Sequence, residues 1–462
     1  MGISNMGVKP RTTNGKKTVA WILVTTSLLF AFTSASLWLY MTMFSNATPL
    51  AAHPRQHVRH QPTITNSSDQ DAAMVNTTVG QFMHAYLAQD YQTTWSMLHP
   101  QIQAMWPNEK AYASSSKARF HDYTLHGFSQ GKTWTRSYWT NPETLTRYTN
   151  VEVQAVSLQL KPAQVIAKGS KLPPEVQQPE ALFQNLPFIV QAAPGKDGQQ
   201  KQWLVLSAGP ASPEAPILPP IVPVKRTAQV PILMYHHISN MPTYNLIDFS
   251  LTVTPTMFQQ QLEYLKAHNY HSITFNQLFN ALYFEAPLPS RPIILTFDDG
   301  YADGYQFAYP LLKRYGFSGM FYIITGKVGW QGQMSWAQMR EMLANGMQMG
   351  SHTVHHVDIG QVLLNSPEQA AQELQVSQIM MQQHLGIPIQ QFCYPSGEPF
   401  RHGSLSLQQA VIALVTASGY VGATNDPGMV GPIQNSLDPL VLLRNRVDGR
   451  ESLAGFTQSL PW

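Results

Sequence analysis

Residues 292–300 read Pro-Ile-Ile-Leu-Thr-Phe-Asp-Asp-Gly, and the interpretation of the second half of the chain starts from them. The first six form a short apolar run typical of a buried strand, and Gly300 favours a turn directly afterwards. Asp298 and Asp299 therefore stand at the carboxyl end of a predicted strand. Adjacent carboxylates on a tight turn repel each other, and a divalent cation relieves that repulsion. A solvated turn, capped by its own Asp side chains, is the alternative for this stretch alone.

The residues around this stretch, from about 228 to 460, alternate between short apolar runs and helical patterns. Repeated strand–helix units predict a mostly parallel sheet, open or closed into a barrel, with its chemistry in the loops after the strands. The predicted strands are Pro231–Tyr235, Pro292–Phe297, Met320–Ile324 and Met347–Gly350. Predicted helices follow Thr254, include Phe307, Leu311 and Leu312, and begin after Ser335.

A second polar group, residues 351–356 with the sequence Ser-His-Thr-Val-His-His, also follows a predicted strand. His352 and His356 are four residues apart, so one helical turn would put both rings on the same side. Neutral imidazoles are favoured ligands of zinc-like ions. Two histidines and one carboxylate of the Asp pair leave positions open for water and substrate. A surface cluster of histidines is the alternative.

A third group, Phe392-Cys393-Tyr394-Pro395-Ser396-Gly397, follows the next predicted strand and can turn a backbone N–H into the same site. Without the other two motifs an ordinary turn would be the better interpretation. Cys393 is the only cysteine, so the chain has no internal disulfide, and the residues around it do not favour a nucleophilic role.

With these motifs in this order, residues 228–460 resemble the polysaccharide deacetylase family, carbohydrate esterase family 4, over about half of the chain. Thr296–Asp299 matches the family's strand-end T-F-D-D, and His352–His356 matches its H-[ST]-x-x-H. The resemblance implies an α/β fold, a deformed (β/α) barrel. It implies that Asp298 is the catalytic base. It also implies a divalent metal ion, expected to be zinc, held by Asp299, His352 and His356.

Two departures from the family pattern affect the remaining roles. The family's R-x-P-Y loop appears here as residues 393–396, Cys-Tyr-Pro-Ser, so the Arg that would orient Asp298 and the loop Tyr are both missing. The backbone N–H of Ser396 can still serve the oxyanion. The late L-x-H, which supplies the general acid, is also absent. Residues 442–447 read Leu-Leu-Arg-Asn-Arg-Val, and no His follows His402.

The opening of this half, Pro231-Ile-Leu-Met-Tyr-His-His237, resembles the branch that deacetylates poly-N-acetylglucosamine in biofilms, and related membrane-anchored members. In that branch the first strand carries the acid, which makes His236 the candidate here. A buried structural His beside the metal is the alternative role for His236.

The N-terminus predicts a membrane anchor. Residues 1–17 are basic, and residues 18–44, which contain no Asp, Glu, Lys or Arg, are long enough to span a bilayer. Basic residues before the span favour a cytoplasmic tail at 1–17. The chain is therefore predicted to be a single-pass protein of the cell membrane with its catalytic domain outside the cytoplasm. A cleaved signal peptide, whose apolar part is normally shorter, is the alternative.

Between the anchor and the second half, composition predicts three segments. Residues 45–74 are a flexible stalk, and residues 209–227 are a Pro-rich, semi-rigid linker before the domain at 228–462. Residues 75–208 show helical spacing first and strand alternation afterwards, which predicts a small α+β domain. That pattern weakly resembles the nuclear-transport-factor-2-like type.

These features together predict a metal-dependent N-deacetylase that acts on an N-acetylated polysaccharide and releases acetate. A net charge of +3 without a dense basic patch argues against nucleic acid as a partner. Non-haem iron oxygenases also use two His and one carboxylate, but the β–α alternation argues against their usual folds. A catalytically inactive carbohydrate-binding protein of the same fold is the alternative from another functional class.

Overall fold

Two β-sheets organise the residues that the structure describes. In this computed structural model those are residues 61–163, 178–194, 201–209, 212–240, 245–426 and 431–462. The predicted tail, the anchor at 18–44 and most of the stalk lie outside the described residues. Within the described part of the chain, no helix combines the length and apolar character that a membrane crossing requires.

The first sheet is antiparallel and follows a group of helices, in the order that the α+β pattern predicts. Its strands, in spatial order, are β1 (Ile64–Asn66), β2 (Tyr123–Thr140), β3 (Arg147–Pro162), β4 (Leu186–Pro194) and β5 (Lys201–Ser207). The helices here are Asp69–Leu87, Tyr91–Met97, Pro100–Gln103, Glu109–Arg119 and the 3₁₀ turn Pro179–Ala181. Ser68 caps the first of them by accepting the Asp71 N–H, and Phe82 packs edge-on against Phe188 of β4. The domain boundaries at 75 and 208 stay predictions.

The second sheet is parallel, and eight of its strands lie among the described residues. They are β7 (Ile232–Tyr235), β10 (His271–Ser272), β11 (Pro292–Phe297), β12 (Met320–Ile323), β13 (Gln348–Ser351), β14 (Gln391–Cys393), β15 (Gly422–Thr424) and β17 (Asn445–Arg446). The spatial order is β15-β14-β13-β12-β11-β7-β17, with β10 paired to the start of β11. Two small pairs complete the strands: β6 (Thr227–Gln229) with β16 (Ile433–Asn435), and β8 (His237–Ile238) with β9 (Thr252–Val253).

Helices cover this parallel sheet, as repeated strand–helix units require. They are Leu246–Leu251, Pro255–Ala267, Phe275–Phe284, Tyr309–Tyr315, Trp336–Ala344, Ile359–Asn365, Pro367–Leu385, Leu405–Ala417 and Leu453–Gln458. Short 3₁₀ turns occur at Thr325–Lys327 and Pro395–Gly397, and a π-helix at Gly304–Ala308. The predicted cap at Ser335 is a capping box, in which Ser335 and Gln338 each accept the other's backbone N–H.

The central strand explains why the sequence near residue 296 indicated a buried position. All six residues of β11 are buried, because neighbouring strands pair on both of its edges and its alternate side chains enter two different hydrophobic clusters. This parallel sheet with its helices is a half-barrel, and it fits the predicted α/β fold, a deformed (β/α) barrel. Parallel strands point the same way, so the residues after β7, β11, β12, β13 and β14 gather at one edge.

Candidate metal and catalytic site

Strand register brings the predicted site residues together. The Asp298 N–H donates to the Tyr235 carbonyl oxygen at 2.9 Å, so Asp298 lies where β7 ends. The His352 N–H donates to the Ile323 carbonyl oxygen at 2.9 Å, which places that histidine at the end of β12. Motifs that are more than fifty residues apart in sequence therefore meet at the carboxyl edge of the sheet.

The turn after β11 needs a left-handed backbone at two consecutive residues. Asp299 has φ +72° and Gly300 has φ +71°, a region that L-residues other than Asn and Asp rarely adopt. The Gly300 carbonyl oxygen accepts the Met334 N–H at 2.9 Å, so the loop before helix Trp336–Ala344 fixes the turn. This conformation directs the two neighbouring carboxylates to different partners.

Asp299, His352 and His356 form a group that can hold a metal ion. Asp299 Oδ1 is 3.4 Å from His352 Nε2 and 3.2 Å from His356 Nε2. That oxygen is buried and has no hydrogen-bond partner, although both rings face it. His352 Nδ1 lies 2.8 Å from the Cys393 carbonyl oxygen, so Nδ1 carries the proton and the Nε2 lone pair points at Asp299. One carboxylate oxygen and two imidazole nitrogens suit a divalent cation such as zinc.

The two histidines converge for a different reason from the one predicted. Residues 352–356 are a loop, and the expectation of a helical turn is wrong. Thr353 and His356 have φ values of +62° and +60°, and the Thr353 hydroxyl accepts the His356 N–H at 2.8 Å. His355 turns the other way, with Nδ1 2.6 Å from Glu373 Oε1. Glu373 also accepts the Val354 N–H at 3.0 Å, which fixes the loop from outside the site.

Asp298 does not belong to this group, because Arg444 holds both of its oxygens. Nη1 donates to Oδ1 at 2.7 Å and Nη2 donates to Oδ2 at 2.8 Å, and the Arg444 side chain is 1% exposed. Burial alone would raise the pKa of Asp298, but Arg444, with smaller contributions from His236 and His352, brings that pKa below its usual value. Asp298 is therefore an ionised carboxylate in a dry environment, as a general base requires.

Arg444 corrects one conclusion from the sequence. The Arg that orients Asp298 is present, but it comes from the segment before β17 and not from the loop after β14. The sequence signal that could have identified this Arg was a charged residue directly after the apolar pair Leu442-Leu443. It stands in the stretch that replaces the family's late L-x-H. A buried Arg needs a buried acid, and that requirement pointed to Asp298.

Cys393 adds a second, overlapping group that could hold a metal. Ligand atoms of Asp298, His352 and Cys393 lie within 4.8 Å of one another. Arg444 Nη2 also donates to Cys393 Sγ at 3.1 Å. Since Arg444 already occupies both Asp298 oxygens, and the His352 Nδ1 serves the Cys393 carbonyl, the set containing Asp299 and His356 is the better candidate.

The other two predicted residues, His236 and Ser396, and the last histidine of the chain, His402, lie in different surroundings. His236 follows β7 beside Asp298, is half-buried, and has a pKa lowered by burial although Asp298 and Asp299 act to raise it. Ser396 is exposed, with φ +57°, in the turn after β14. His402 is exposed and hydrogen-bonds to Glu398.

A further group beside Asp299 was not found from the sequence. The rings of His237 and Tyr301 stack with centroids 3.7 Å apart, and His237 Nδ1 lies 2.6 Å from Asp303 Oδ2. Burial raises the pKa of Tyr301, and the neighbouring Asp299 carboxylate raises it further. Asp303 therefore positions the His237 ring, and that ring stacks on Tyr301. Tyr301 keeps its proton beside Asp299, the predicted metal ligand.

The fold and site together define an α/β enzyme with a potential cation site and an adjacent base at the carboxyl edge of a parallel sheet. Residues 285–413 match the family model described as Polysaccharide deacetylase. That segment includes Asp298, Asp299, His352, His356 and Ser396, and it excludes His236 and Arg444. Residues 285–413 thus form a polysaccharide deacetylase domain, and its relatives and fold indicate a deacetylase, a hydrolase.

Individual relatives match parts of the chain. YxkH of Bacillus subtilis (strain 168), assigned to the polysaccharide deacetylases, is 29% identical over 208 residues, covering 45% of this chain and 68% of that protein. The poly-beta-1,6-N-acetyl-D-glucosamine N-deacetylase of Staphylococcus aureus (strain N315) is 28% identical over 116 residues, covering 23% of this chain and 39% of that protein. The Streptococcus pyogenes deacetylase PplD, solved in complex with acetate, has a TM-score of 0.43 and 28% identity, covering 52% of this chain and 100% of that one.

Proposed function

We propose that this protein hydrolyses N-acetyl groups of N-acetylglucosamine units in an exopolysaccharide or cell-wall polymer and releases acetate. The observation that carries the proposal is the contrast between two adjacent carboxylates. Asp298 is held at both oxygens by Arg444, while Asp299 Oδ1 faces two histidine nitrogens without a hydrogen-bond partner. One carboxylate is thus suited to take a proton, and the other to bind a cation.

The chain's own residues supply the proton transfers. Asp298, ionised and fixed by Arg444, accepts a proton from the attacking water. His236, beside Asp298 at the end of β7, donates a proton to the departing amine. Burial lowers the pKa of His236 and favours the neutral ring, so the ring must gain a proton before it acts as the acid, and the Asp298 and Asp299 carboxylates help by acting to raise that pKa. The Ser396 N–H, in the turn after β14, donates to the oxyanion.

We propose a divalent ion, zinc, as the cofactor bound by Asp299, His352 and His356. Such an ion polarises the acetyl carbonyl and lowers the pKa of water. Full-length protein should contain about one ion per chain, and a chelator should abolish acetate release. The His352→Ala variant should lose the ion. Full metal occupancy in that variant would show that the ligand assignment is wrong.

An assay on several polymers identifies the substrate. The Staphylococcus aureus relative is named for poly-β-1,6-N-acetyl-D-glucosamine, and that substrate is the first candidate here. Acetate release should be compared on poly-N-acetylglucosamine, peptidoglycan and chitin fragments. Release from one of them supports the proposal, whereas binding without release would favour the inactive carbohydrate-binding protein.

We also propose that residues 18–44 anchor the protein in the cell membrane and place the enzyme outside the cytoplasm. The support is the uncharged span after a basic tail, together with a substrate that lies outside the cell. A reporter fused after Trp462 should be active only outside the cytoplasm. Activity confined to the cytoplasm would overturn this topology.

A further inference from the structure

A cavity of about 820 Å³ lies between the helices of the first sheet and the amino-terminal side of the parallel sheet. Tyr270 and Phe317 line it. Tyr270 directly precedes β10, and Phe317 lies three residues before β12. Asp298 follows the opposite end of β11, so the cavity is separate from the catalytic edge. Cavities of about 300–1,000 Å³ at domain interfaces are typical of ligand sites.

Charged and amide side chains face this cavity from both sides. Arg119 and Glu143 contribute from the first sheet and its helices, and Asn280 contributes from helix Phe275–Phe284. Arg119 Nη2 donates to Asn280 Oδ1 at 3.1 Å, and the guanidinium lies 5.3 Å from the Phe284 ring centroid. Among the ion pairs of the described residues, none joins Arg119 to Glu143. Donor and acceptor groups are therefore both available to a ligand.

Aromatic rings form another part of the wall. Trp106 and Tyr112 both line the cavity, with ring centroids 5.6 Å apart and an interplanar angle of 83°. Trp106 is partly exposed and offers an apolar face, while Tyr112 is buried behind it and its hydroxyl donates to Thr94 Oγ1 at 3.1 Å. The C–H face of a sugar ring packs against an aromatic face, and sugar hydroxyls donate and accept at the rim.

Charged groups of both signs face the cavity, so a neutral ligand meets no group of like charge. Burial raises the pKa of Glu143 to about 7, with the Arg119 charge opposing the rise, so this carboxyl is partly ionised near neutral pH. An anionic ligand would be repelled by ionised Glu143, and a cationic one by Arg119 and by Lys266, which also lines the cavity. A polyhydroxylated molecule pairs with all of these groups without bringing a charge of its own.

We propose that this cavity binds a short neutral oligosaccharide, as a second saccharide site distinct from the catalytic one. The inference rests on the proposed function, since a polysaccharide deacetylase acts where such fragments are present. It goes beyond that function because the cavity lies at the other end of the parallel strands.

Calorimetric titration of full-length protein with the trimer of N-acetylglucosamine tests the inference. The Asp298→Asn variant serves as the background, so that turnover does not disturb the titration. Two binding sites per chain are expected. In that background, Trp106→Ala should weaken one site at least tenfold, and Ala286→Trp, which places a ring in the cavity, should remove it. Trp134→Ala, a matched change outside the cavity lining, should retain both sites.

Glu143→Gln tests the same site without a large change of shape, because glutamine keeps the size of the side chain and one acceptor oxygen. It therefore covers the case in which the larger substitutions misfold. It should alter the affinity of the same site severalfold, while at about pH 4.5, where the Glu143 carboxyl is protonated, its melting temperature remains close to that of the parent. If Trp106→Ala, Ala286→Trp and Glu143→Gln all bind the trimer like Trp134→Ala, the inference is wrong. Absence of acetate release from every polymer, with the cavity site intact, would instead overturn only the proposed function.

Discussion

At the scale of single residues, the Asp298–Arg444 pair has the largest energetic consequences. Both side chains are almost fully buried, at 3% and 1% exposure. A buried ion pair stabilises little relative to apolar residues, but removing one partner leaves the other charge buried and unpaired. The pair is therefore better explained by the need for an ionised, oriented carboxylate than by stability.

Replacing Arg444 should show that the charge and orientation of Asp298 depend on this guanidinium. Arg444→Met should lower the free energy of unfolding by about 3–5 kcal/mol, since Asp298 would be left without its partner. The folded-state pKa of Asp298 lies below its unfolded value, so its stabilising contribution is present above the unfolded pKa and is lost as pH falls through the folded pKa. In the variant that pKa rises, and the acid limb of the rate profile should move to higher pH. Urea unfolding and pH–rate profiles check this, with the exposed Arg446→Met as the control.

The division of roles between base and acid gives a second prediction at this scale. Asp298→Asn and His236→Ala should each lower turnover by about 10²–10⁴-fold, with Asp298→Asn the more severe. Both should keep their metal, because neither residue is in the proposed ligand set. Turnover and metal content should be measured on the same preparations. Near-normal turnover in His236→Ala would move the acid role to another group.

At the scale of elements, the loop at 352–356 determines the geometry of the histidines. A helix would have held them by its own hydrogen bonds, whereas this loop depends on side chains. The Thr353 hydroxyl accepts the His356 N–H, and Glu373 accepts two loop N–H groups. Positioning of the second ligand histidine thus depends on a neighbouring side chain.

Thr353 offers a clean test of that loop. Thr353→Val keeps the shape but removes the acceptor for the His356 N–H, a loss of about 1 kcal/mol. Metal affinity should fall about fivefold, since 1.4 kcal/mol corresponds to a factor of ten. Thr353→Ser keeps the hydroxyl and should retain the affinity of the parent. Competition with a chelator measures both, and equal affinities for the Val and Ser variants would contradict the role of the hydroxyl.

At the scale of the whole molecule, specific polar contacts tie the Pro-rich linker to the parallel-sheet domain. The Ile217 N–H donates to Gln390 Oε1 at 2.8 Å, and Gln390 Nε2 donates back to the Ile217 carbonyl oxygen at 2.9 Å. Outside the linker, Arg147 of β3 hydrogen-bonds to Asn345, which directly follows helix Trp336–Ala344. The linker was predicted to be extended and semi-rigid, and at residue 217 it is held by one side chain.

Breaking the Gln390 contact should loosen the linker. Gln390→Leu leaves the buried Ile217 N–H and carbonyl oxygen unpaired, at about 1–3 kcal/mol for each group. The melting temperature should fall, and limited proteolysis should cut near residue 217 more rapidly than in the parent. Gln378→Leu, which removes a single bond to the Ile389 carbonyl oxygen, is the control for loss of one amide. Unchanged proteolysis in Gln390→Leu would contradict this account.

Glu143 links the stability of this interface to pH. Its folded-state pKa of about 7 lies above the ordinary value of 4.5 for a Glu carboxyl, so it stabilises the fold at low pH and loses that contribution as pH rises from 4.5 through 7. Glu143→Gln cannot titrate, and the difference in melting temperature between parent and variant should therefore change over that interval. Thermal melts from pH 4 to 8 provide the measurement. A difference that is constant with pH would show that Glu143 has an ordinary pKa.

The sequence by itself determined the strand–helix alternation of the second half, four of its strands, and most of the chemical groups of the site. Local signals were sufficient there: apolar runs predicted β7, β11, β12 and β13, and Ser335 marked a helix start that the structure retains. Asp299, His352 and His356 were recognisable because acidic and imidazole groups followed predicted strands. Residues 18–44 likewise remain a prediction from composition alone.

Only the tertiary structure decided which of these groups touch and how. Arg444 reaches Asp298 because β17 pairs with β7, a neighbour relation between strands more than two hundred residues apart. His356 faces Asp299 through a left-handed loop whose backbone angles no helical spacing predicts. The cavity around Arg119 and Glu143 exists only where residues of both sheets meet. Periodicity and motifs are local in sequence, whereas pairing, burial and the resulting pKa shifts arise from contacts between distant segments.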